Sequence, residues 1–471
     1  MSKIKFGTDG WRALMSADFT LENVERVVQA YADHLWAESK KKGSSKVRVV
    51  IGYDWRRNSE NFARAAAEVL SGNGIEVILS TTACPTPAVS YTIVKEKCDS
   101  GLAITASHNP PGYNGVKIKN DFGGSAERAI TDAVEALIGK SPVRRKPLGA
   151  GSERRDLNEA YIAFLKRYVD IDKIKQGPYH VLVDPMHGVA GRWLETILAG
   201  GKLRITTIRG DRDTSFGGGA PEPIPQNLRQ ATELMRTGKY DLCVVTDGDA
   251  DRVGAIRPGG EFISPGKILS LIMLHLVEDR KKTGSVVTTI SNTGLIYKMA
   301  RKLGLKVHET PVGFKYVCEI MRRENVLIGG EESGGIGFQD YLYERDGMLS
   351  SLLLMEMMAV RGKSIDQILK DVEKEFGKLH YVRNDIDYPN ELKPLLFQHL
   401  QKNPPASLAG HRIKEVKSSD GMKFVLEDDS WLLFRLSGTE PILRIYSEAT
   451  SEQLATSLVS SGREIAFGLK A

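Results

Sequence analysis

Four stretches of this 471-residue chain carry side chains able to do chemistry. The first is Thr105-Ala-Ser-His-Asn-Pro110, directly after the apolar run Gly101-Leu102-Ala103-Ile104. Pro110 and Pro111 forbid a helix and push their predecessors into extended or turn geometry. Ser107 is therefore expected at the lip of a buried strand, exposed on a rigid support, as a nucleophile requires. Considered alone, such a loop is more often an ordinary polar turn; the loops downstream shift the balance. The second stretch is Asp247-Gly-Asp-Ala-Asp251-Arg252, after Val244-Val245-Thr246. Carboxylates at alternate positions, Asp247, Asp249 and Asp251, can converge on one hard cation, and Mg²⁺ suits such a site. A calcium-binding EF-hand loop is excluded, because its sixth position is Arg252 in place of Gly and its twelfth is Pro258 in place of Glu. Arg252, beside the metal, is expected to contact a phosphate.

The third stretch, Gly329-Gly-Glu-Glu-Ser-Gly-Gly335, follows Val326-Leu327-Ile328. Its glycines allow close backbone approach, while Glu331 and Ser333 offer groups that bind sugar hydroxyls. The fourth, Arg435-Leu-Ser-Gly-Thr-Glu-Pro441, joins two strands near the C-terminus. Arg435, the hydroxyls of Ser437 and Thr439 and the amide of Gly438 make a pocket for a phosphate dianion, with Arg444 as a further donor. Neither a Walker-type loop nor a Gly-x-Gly-x-x-Gly fingerprint occurs, so nucleotide binding lacks its usual support. A nucleophile, a cation site, a hydroxyl clamp and a phosphate anchor together point to phosphoryl transfer on a phosphosugar, where positioning and charge neutralisation do most of the catalysis.

These loops need rigid supports, and the hydrophobic spacing supplies them. Val24, Val27, Val28, Tyr31 and Leu35 recur at helical period, and a second helix runs from Ser59 to the Gly72-Asn-Gly74 stop. Short apolar runs at 47–52, 75–79 and 101–105 read as buried strands of a largely parallel sheet. The basic, Pro- and Gly-rich stretch 141–155 reads as a linker. Beyond it, strands at 181–184 and 242–246, and then at 286–290 and 326–328, each open a new round. After about residue 378 consecutive strands take over (411–416, 423–426, 431–436, 443–447), closed by a helix from about Ser451. The expected architecture is α/β: three similar α/β domains (1–150, 151–257, 258–377) and a smaller C-terminal α+β domain (378–471) around a central cleft.

Composition narrows the class further. Hydrophobic content of 41%, 26% charge and a net charge of +6 with scattered basic residues suit a globular protein with small anionic substrates, without a nucleic-acid surface. Four dispersed cysteines without a Cys-x-x-Cys pair fit a reducing compartment. No signal-peptide pattern is visible and no apolar run is long enough for a membrane span, so a cytoplasmic location without membrane partners is expected. Oligomeric state is not legible.

The motifs Phe6-Gly-Thr-Asp-Gly-Trp-Arg12, 105–110, 247–252, Gly330-Glu-Glu-Ser-Gly334 and 435–441 occur in one order from end to end. In this the chain resembles the α-D-phosphohexomutases, which include phosphoglucomutase, phosphomannomutase and phosphoglucosamine mutase. The resemblance implies a phosphate carried on Ser107, Mg²⁺ held by Asp247, Asp249, Asp251 and the phosphoserine, and a bisphosphate intermediate that turns over in the cleft. It further implies hexose phosphate substrates and a hexose 1,6-bisphosphate activator. Lys117 matches the family's general acid/base, and burial near cations would lower its pKa for that work; His108 is a second candidate. Arg12 would support the phosphoserine region, Gly313 and Lys315 would belong to a ligand loop, and Arg435 to Thr439 would hold the non-transferring phosphate. The chain has Gly335 where phosphomannomutase/phosphoglucomutases and phosphoglucosamine mutases usually carry His. With Arg345-Asp-Gly347, this leans toward the phosphoglucomutase branch and glucose. Mannose or glucosamine phosphate as substrate, an inactive sugar-phosphate-binding protein and a metal-dependent phosphatase are the alternatives.

Overall fold

The computed structural model describes residues 4–436 and 441–468. Three mixed α/β sheets follow one another along the chain, and a six-stranded antiparallel sheet closes it. In the first sheet Ser100–Ile104, Arg48–Tyr53, Glu76–Ser80 and Glu153–Arg155 run parallel. Tyr113–Asn120 then pairs antiparallel with Ser100–Ile104, and Trp11–Leu14 with Tyr113–Asn120. In the second, Arg204–Thr207, His180–Asp184 and Leu242–Thr246 are parallel, and Val253–Ile256 turns back on Leu242–Thr246. In the third, Val307–Thr310, Ser285–Thr289 and Val326–Gly330 are parallel, with Ile336–Phe338 turned back on Val326–Gly330.

One local unit therefore recurs three times: a buried parallel strand, a functional loop, and an antiparallel return strand. The strands Ser100–Ile104, Leu242–Thr246 and Val326–Gly330 are buried along their whole length. That is what their uninterrupted apolar or small residues require of strands covered on both faces. Each loop thus stands on a support that cannot shift without opening a core.

Two expectations need correction. Residues 153–155 lie within the stretch read as a linker, yet they form a strand beside Glu76–Ser80. Their sequence, Glu-Arg-Arg, has no apolar signature because they occupy a sheet edge. Phe262–Ile263, which a third domain beginning at 258 would include, instead joins the second sheet beside Val253–Ile256.

The first three domains share one continuous core, reaching from Val50 through Val181 and Ile268 to Leu352. At its centre lies the helix Gly347–Arg361, whose N-terminus is capped by Asp346 accepting from Leu349 N at 2.8 Å. Tyr161 OH donates to the other Asp346 oxygen at 2.6 Å, and Tyr341 OH donates to the same atom. The C-terminal domain has its own core and grips the third domain through main-chain atoms. Lys423 Nζ donates to Ile290 O (2.6 Å), Tyr381 OH to Ser291 O (3.1 Å), and Gly294 N to Glu448 Oε2 (2.6 Å).

Leu352 is fully buried in the shared core. Leu352→Ala is expected to cost about 2–5 kcal/mol, read as a fall in the denaturation midpoint of the first three domains together.

Candidate active site

The loop after Ser100–Ile104 brings Ser107 against the second domain. Its hydroxyl donates to Asp247 Oδ2 at 2.7 Å, its amide to Thr105 Oγ1 at 2.8 Å, and its backbone is left-handed, φ 51°. Ser107 is buried, not exposed as the loop's sequence suggests. The Asp247–Asp251 turn lies over it so closely that a Cβ on Gly248 would stand 2.5 Å from Ser107 O, which accounts for glycine between the first two aspartates. His108 and Arg12 lie beside it, partly buried, and Arg12 donates to Asn109 Oδ1 at 2.9 Å.

Asp247, Asp249 and Asp251 are fully buried, with one oxygen of each within 4.8 Å of the others. The amides of Asp251 and Arg252 donate to Asp247 Oδ1 (3.0 and 3.1 Å), and Thr86 Oγ1 donates to Asp249 Oδ2 (2.6 Å). Asp249 Oδ1 and Asp251 Oδ1 are buried and accept nothing among the described residues. Buried carboxylate oxygens left without donors are costly, and this all-oxygen set is of the kind a hard divalent cation takes.

Lys117, on the return strand Tyr113–Asn120, lies under this cluster. Its ammonium is 2.7 Å from Asp249, 2.8 Å from Asp251 and 3.0 Å from Asp9. Arg345 Nη2 completes the network, 2.6 Å from Asp9 and 2.7 Å from Asp251. The expectation of a lowered lysine pKa fails here. Burial does press it down, but Asp249, Asp251 and Asp9 outweigh burial and raise it. Burial likewise pushes Asp249 up, and Lys117 with Thr86 reverses this, leaving its carboxyl well below the usual range. Asp247 is raised by burial and by its two acidic neighbours. His108 moves the other way: burial, then Arg252 and Arg12, hold its imidazole well below its ordinary value, and therefore neutral.

The third domain contributes the turn Glu331–Gly335. Arg252 and Gly335 form a β-bridge, so this turn is stitched to the Asp247–Asp251 turn by backbone. Glu331 is buried, 3.5 Å from Arg345; burial, opposed by Arg345, raises its carboxyl to about 7. Ser333 is partly exposed beside it. A Cβ on Gly335 would overlap Arg345 Cδ, so a histidine there is incompatible with Arg345 in this position. Gly313, φ 136°, opens the helix Phe314–Arg323, and Lys315 in its first turn lies over the Tyr316 ring.

Arg435 and Arg444 pair across Trp431–Leu436 and Ile442–Ala449, so both side chains share one sheet face. Asp420 Oδ2 accepts from Arg435 Nε at 2.9 Å and from Val312 N at 2.8 Å, tying the C-terminal arm to the Gly313 loop. Ser437, Gly438 and Thr439 lie outside the described residues.

Several site residues carried no assigned role in the sequence. Asp9 lies inside the motif 6–12, and Arg345 inside Arg345-Asp-Gly347, so both were within recognisable signals. Thr86 had no signal; only the fold brings it to Asp249.

Three α/β domains meeting at such a cluster, with a fourth domain bound to the third, make the chain a phosphohexomutase, an intramolecular phosphotransferase. It belongs to the phosphoglucomutase/phosphomannomutase family, whose alpha/beta/alpha domains I, II and III match residues 3–144, 159–260 and 264–376, with its C-terminal domain at 396–464. A phosphoglucomutase/phosphomannomutase of Thermococcus kodakarensis is 32% identical over 97% of both chains. A phosphoglucosamine/phosphogalactosamine mutase of Sulfurisphaera tokodaii is 30% identical over 98% of this chain and 99% of its own. A solved structure from Thermus thermophilus, described as a candidate phosphomannomutase, is 35% identical with a TM-score of 0.86, over 98% of this chain and 99% of its own. No described helix is long and apolar enough to cross a membrane.

Because the Glu331 carboxyl has a folded-state pKa of about 7, above its ordinary 4.5, its contribution to stability is full below pH 4.5 and is lost as pH rises through 7. Glu331→Gln removes this loss. Its stability relative to the parent should therefore rise between about pH 5 and 8, by up to about 3 kcal/mol, as read from denaturation midpoints at each pH.

Proposed function

We propose that the chain interconverts hexose 1-phosphates and 6-phosphates, glucose most readily, through a phosphate carried on Ser107 and a bisphosphate intermediate. The observation that supports this most directly is the pair of donor-less oxygens, Asp249 Oδ1 and Asp251 Oδ1, beside the Ser107–Asp247 hydrogen bond. Asp247, Asp249 and Asp251 would hold Mg²⁺, which when bound neutralises charge on the transferring phosphoryl group.

The remaining work falls to the protein's own side chains. Asp247 holds Ser107 Oγ at the acidic cluster. As the Ser107 Oγ–P bond breaks and the bond to the sugar oxygen forms, the sugar hydroxyl must lose its proton. His108, neutral through burial and its arginine neighbours and with Nδ1 unpartnered among the described residues, can accept it, as a weaker base than a free imidazole. Lys117, held as a cation, fixes Asp249 and Asp251 instead. Arg12 and Arg252 supply positive charge to phosphate oxygens. Glu331 and Ser333 bind sugar hydroxyls; Arg435 and Arg444, with the 437–439 loop, hold the distal phosphate, and Lys315 closes on the ligand from the Gly313 loop. The intermediate turns within the cleft and returns its other phosphate to Ser107, which is why free hexose 1,6-bisphosphate would act as activator.

The reading of glucose is supported by Gly335, where a Cβ would meet Arg345 Cδ, so that the histidine usual in the other branches would require Arg345 to move. Relatives named for mannose and glucosamine phosphates keep those sugars in the test. Conversion of glucose 1-phosphate to glucose 6-phosphate, with Mg²⁺ and trace glucose 1,6-bisphosphate, should outpace that of mannose and glucosamine 1-phosphates. Chelation of the metal should abolish it, and Ser107→Ala should lower it by at least about 1,000-fold. Faster turnover of another sugar would move the preference, and stoichiometric release of inorganic phosphate would identify a phosphatase.

A further inference from the structure

Arg56 lies just past the strand Arg48–Tyr53, and its long side chain is 0% exposed. A charged group so deeply buried needs a full set of partners. Its two terminal nitrogens find theirs in one place, donating to Ser107 O at 2.6 Å, Asn109 O at 2.5 Å, Pro110 O at 2.9 Å and Tyr113 O at 3.1 Å. These are main-chain carbonyls of the loop that carries Ser107 and of the residue that opens its return strand. The charge is balanced by Asp54, 3.2 Å away, and covered by the Phe216 ring of the second domain at 4.8 Å.

Asp54 reaches the same serine by another route. It accepts from Thr105 Oγ1 at 2.6 Å, and Thr105 Oγ1 accepts from Ser107 N at 2.8 Å. Ser107 is thus held at both its amide and its carbonyl, and both holds meet at the Asp54–Arg56 pair. The serine needs them, because its φ of 51° lies where residues other than glycine are strained.

We propose that Arg56 is a positioning residue for phosphoryl transfer: it fixes the carbonyl side of Ser107, so that the hydroxyl stays aimed at Asp247 and the cleft. This rests on the reading of Ser107 as the phosphate carrier. Only a planar guanidinium, with five donors in a fixed fork, can span these carbonyls; an ammonium has three donors around one point. A side chain that served the fold alone would lose stability on substitution and leave the balance between kcat and KM untouched. One that aims Ser107 would lower kcat and the rate of serine phosphorylation, while sugar-phosphate affinity stays.

The test compares the full chain with its Arg56→Lys and Ser107→Ala variants. Measured for each are kcat and KM for glucose 1-phosphate, phosphate incorporation from glucose 1,6-bisphosphate by intact mass, and the denaturation midpoint. For Arg56→Lys, kcat and the incorporation rate should fall about 100-fold, the effect of a reacting group displaced by about 1 Å, with KM within about twofold. Unchanged kcat in Arg56→Lys, beside an inactive Ser107→Ala, overturns the role of Arg56 alone. Full turnover by Ser107→Ala overturns both this role and the carrier reading. Should Arg56→Lys not fold, Phe216→Leu, which removes only the ring over the guanidinium, carries the test: a several-fold loss of kcat at constant KM supports the proposal, and normal kcat overturns it.

Discussion

The ammonium of Lys117, closed in by Asp9, Asp249 and Asp251, is the contact on which the rest of the molecule depends. A charge removed from water is tolerated only when its partners are placed with good geometry, and losing one partner typically costs about 3–5 kcal/mol. No single domain could hold this cluster. The first supplies Asp9 and Lys117, the second Asp249 and Asp251, and the third Arg345. A second buried pair, Lys119 with Glu344, repeats the arrangement between the first and third domains. The three domains therefore bring their loops to one point under electrostatic constraint as well as by apolar packing, and the shared core around Leu352 is the counterpart of that constraint.

The same cluster divides proton affinities among chemically identical groups. Asp249, beside the ammonium, is a firm carboxylate; Asp247, which faces acidic neighbours and the serine, is pushed the other way. His108 is held neutral by burial and by arginines, a short distance from where Lys117 is held charged. Basic and acidic character in this cluster follow from position more than from residue type.

Much of this was legible in the sequence, because loops that end buried strands announce themselves. Uninterrupted apolar runs marked the three central strands, and the turn residues after them marked 105–110, 247–252 and 331–335. What stayed hidden depends on distant partners. The proton affinity of Lys117 is set by carboxylates 132 and 134 positions away, which no local spacing shows. Arg56 sits in an unremarkable polar stretch, and its task appears only once the loop folds over it. The strand His380–Asp387 escaped notice because it is a sheet edge, half in water and without apolar alternation.

The threefold recurrence of strand, loop and return strand has a consequence for how such a chain can change. Each hairpin holds one element of the cleft and stands on its own buried strand, so its tip can be rewritten while the other two stay in place. Lys117 grips the Asp247–Asp251 tip and Arg56 the serine-bearing one, whereas the tip at 331–335 is held by backbone through Gly335 and leaves the partly exposed Ser333 side chain as its variable part. On the proposed sugar-binding role of Glu331 and Ser333, diversification toward new sugars would proceed through side chains of that one hairpin together with its neighbour Arg345, leaving the other two hairpins as inherited.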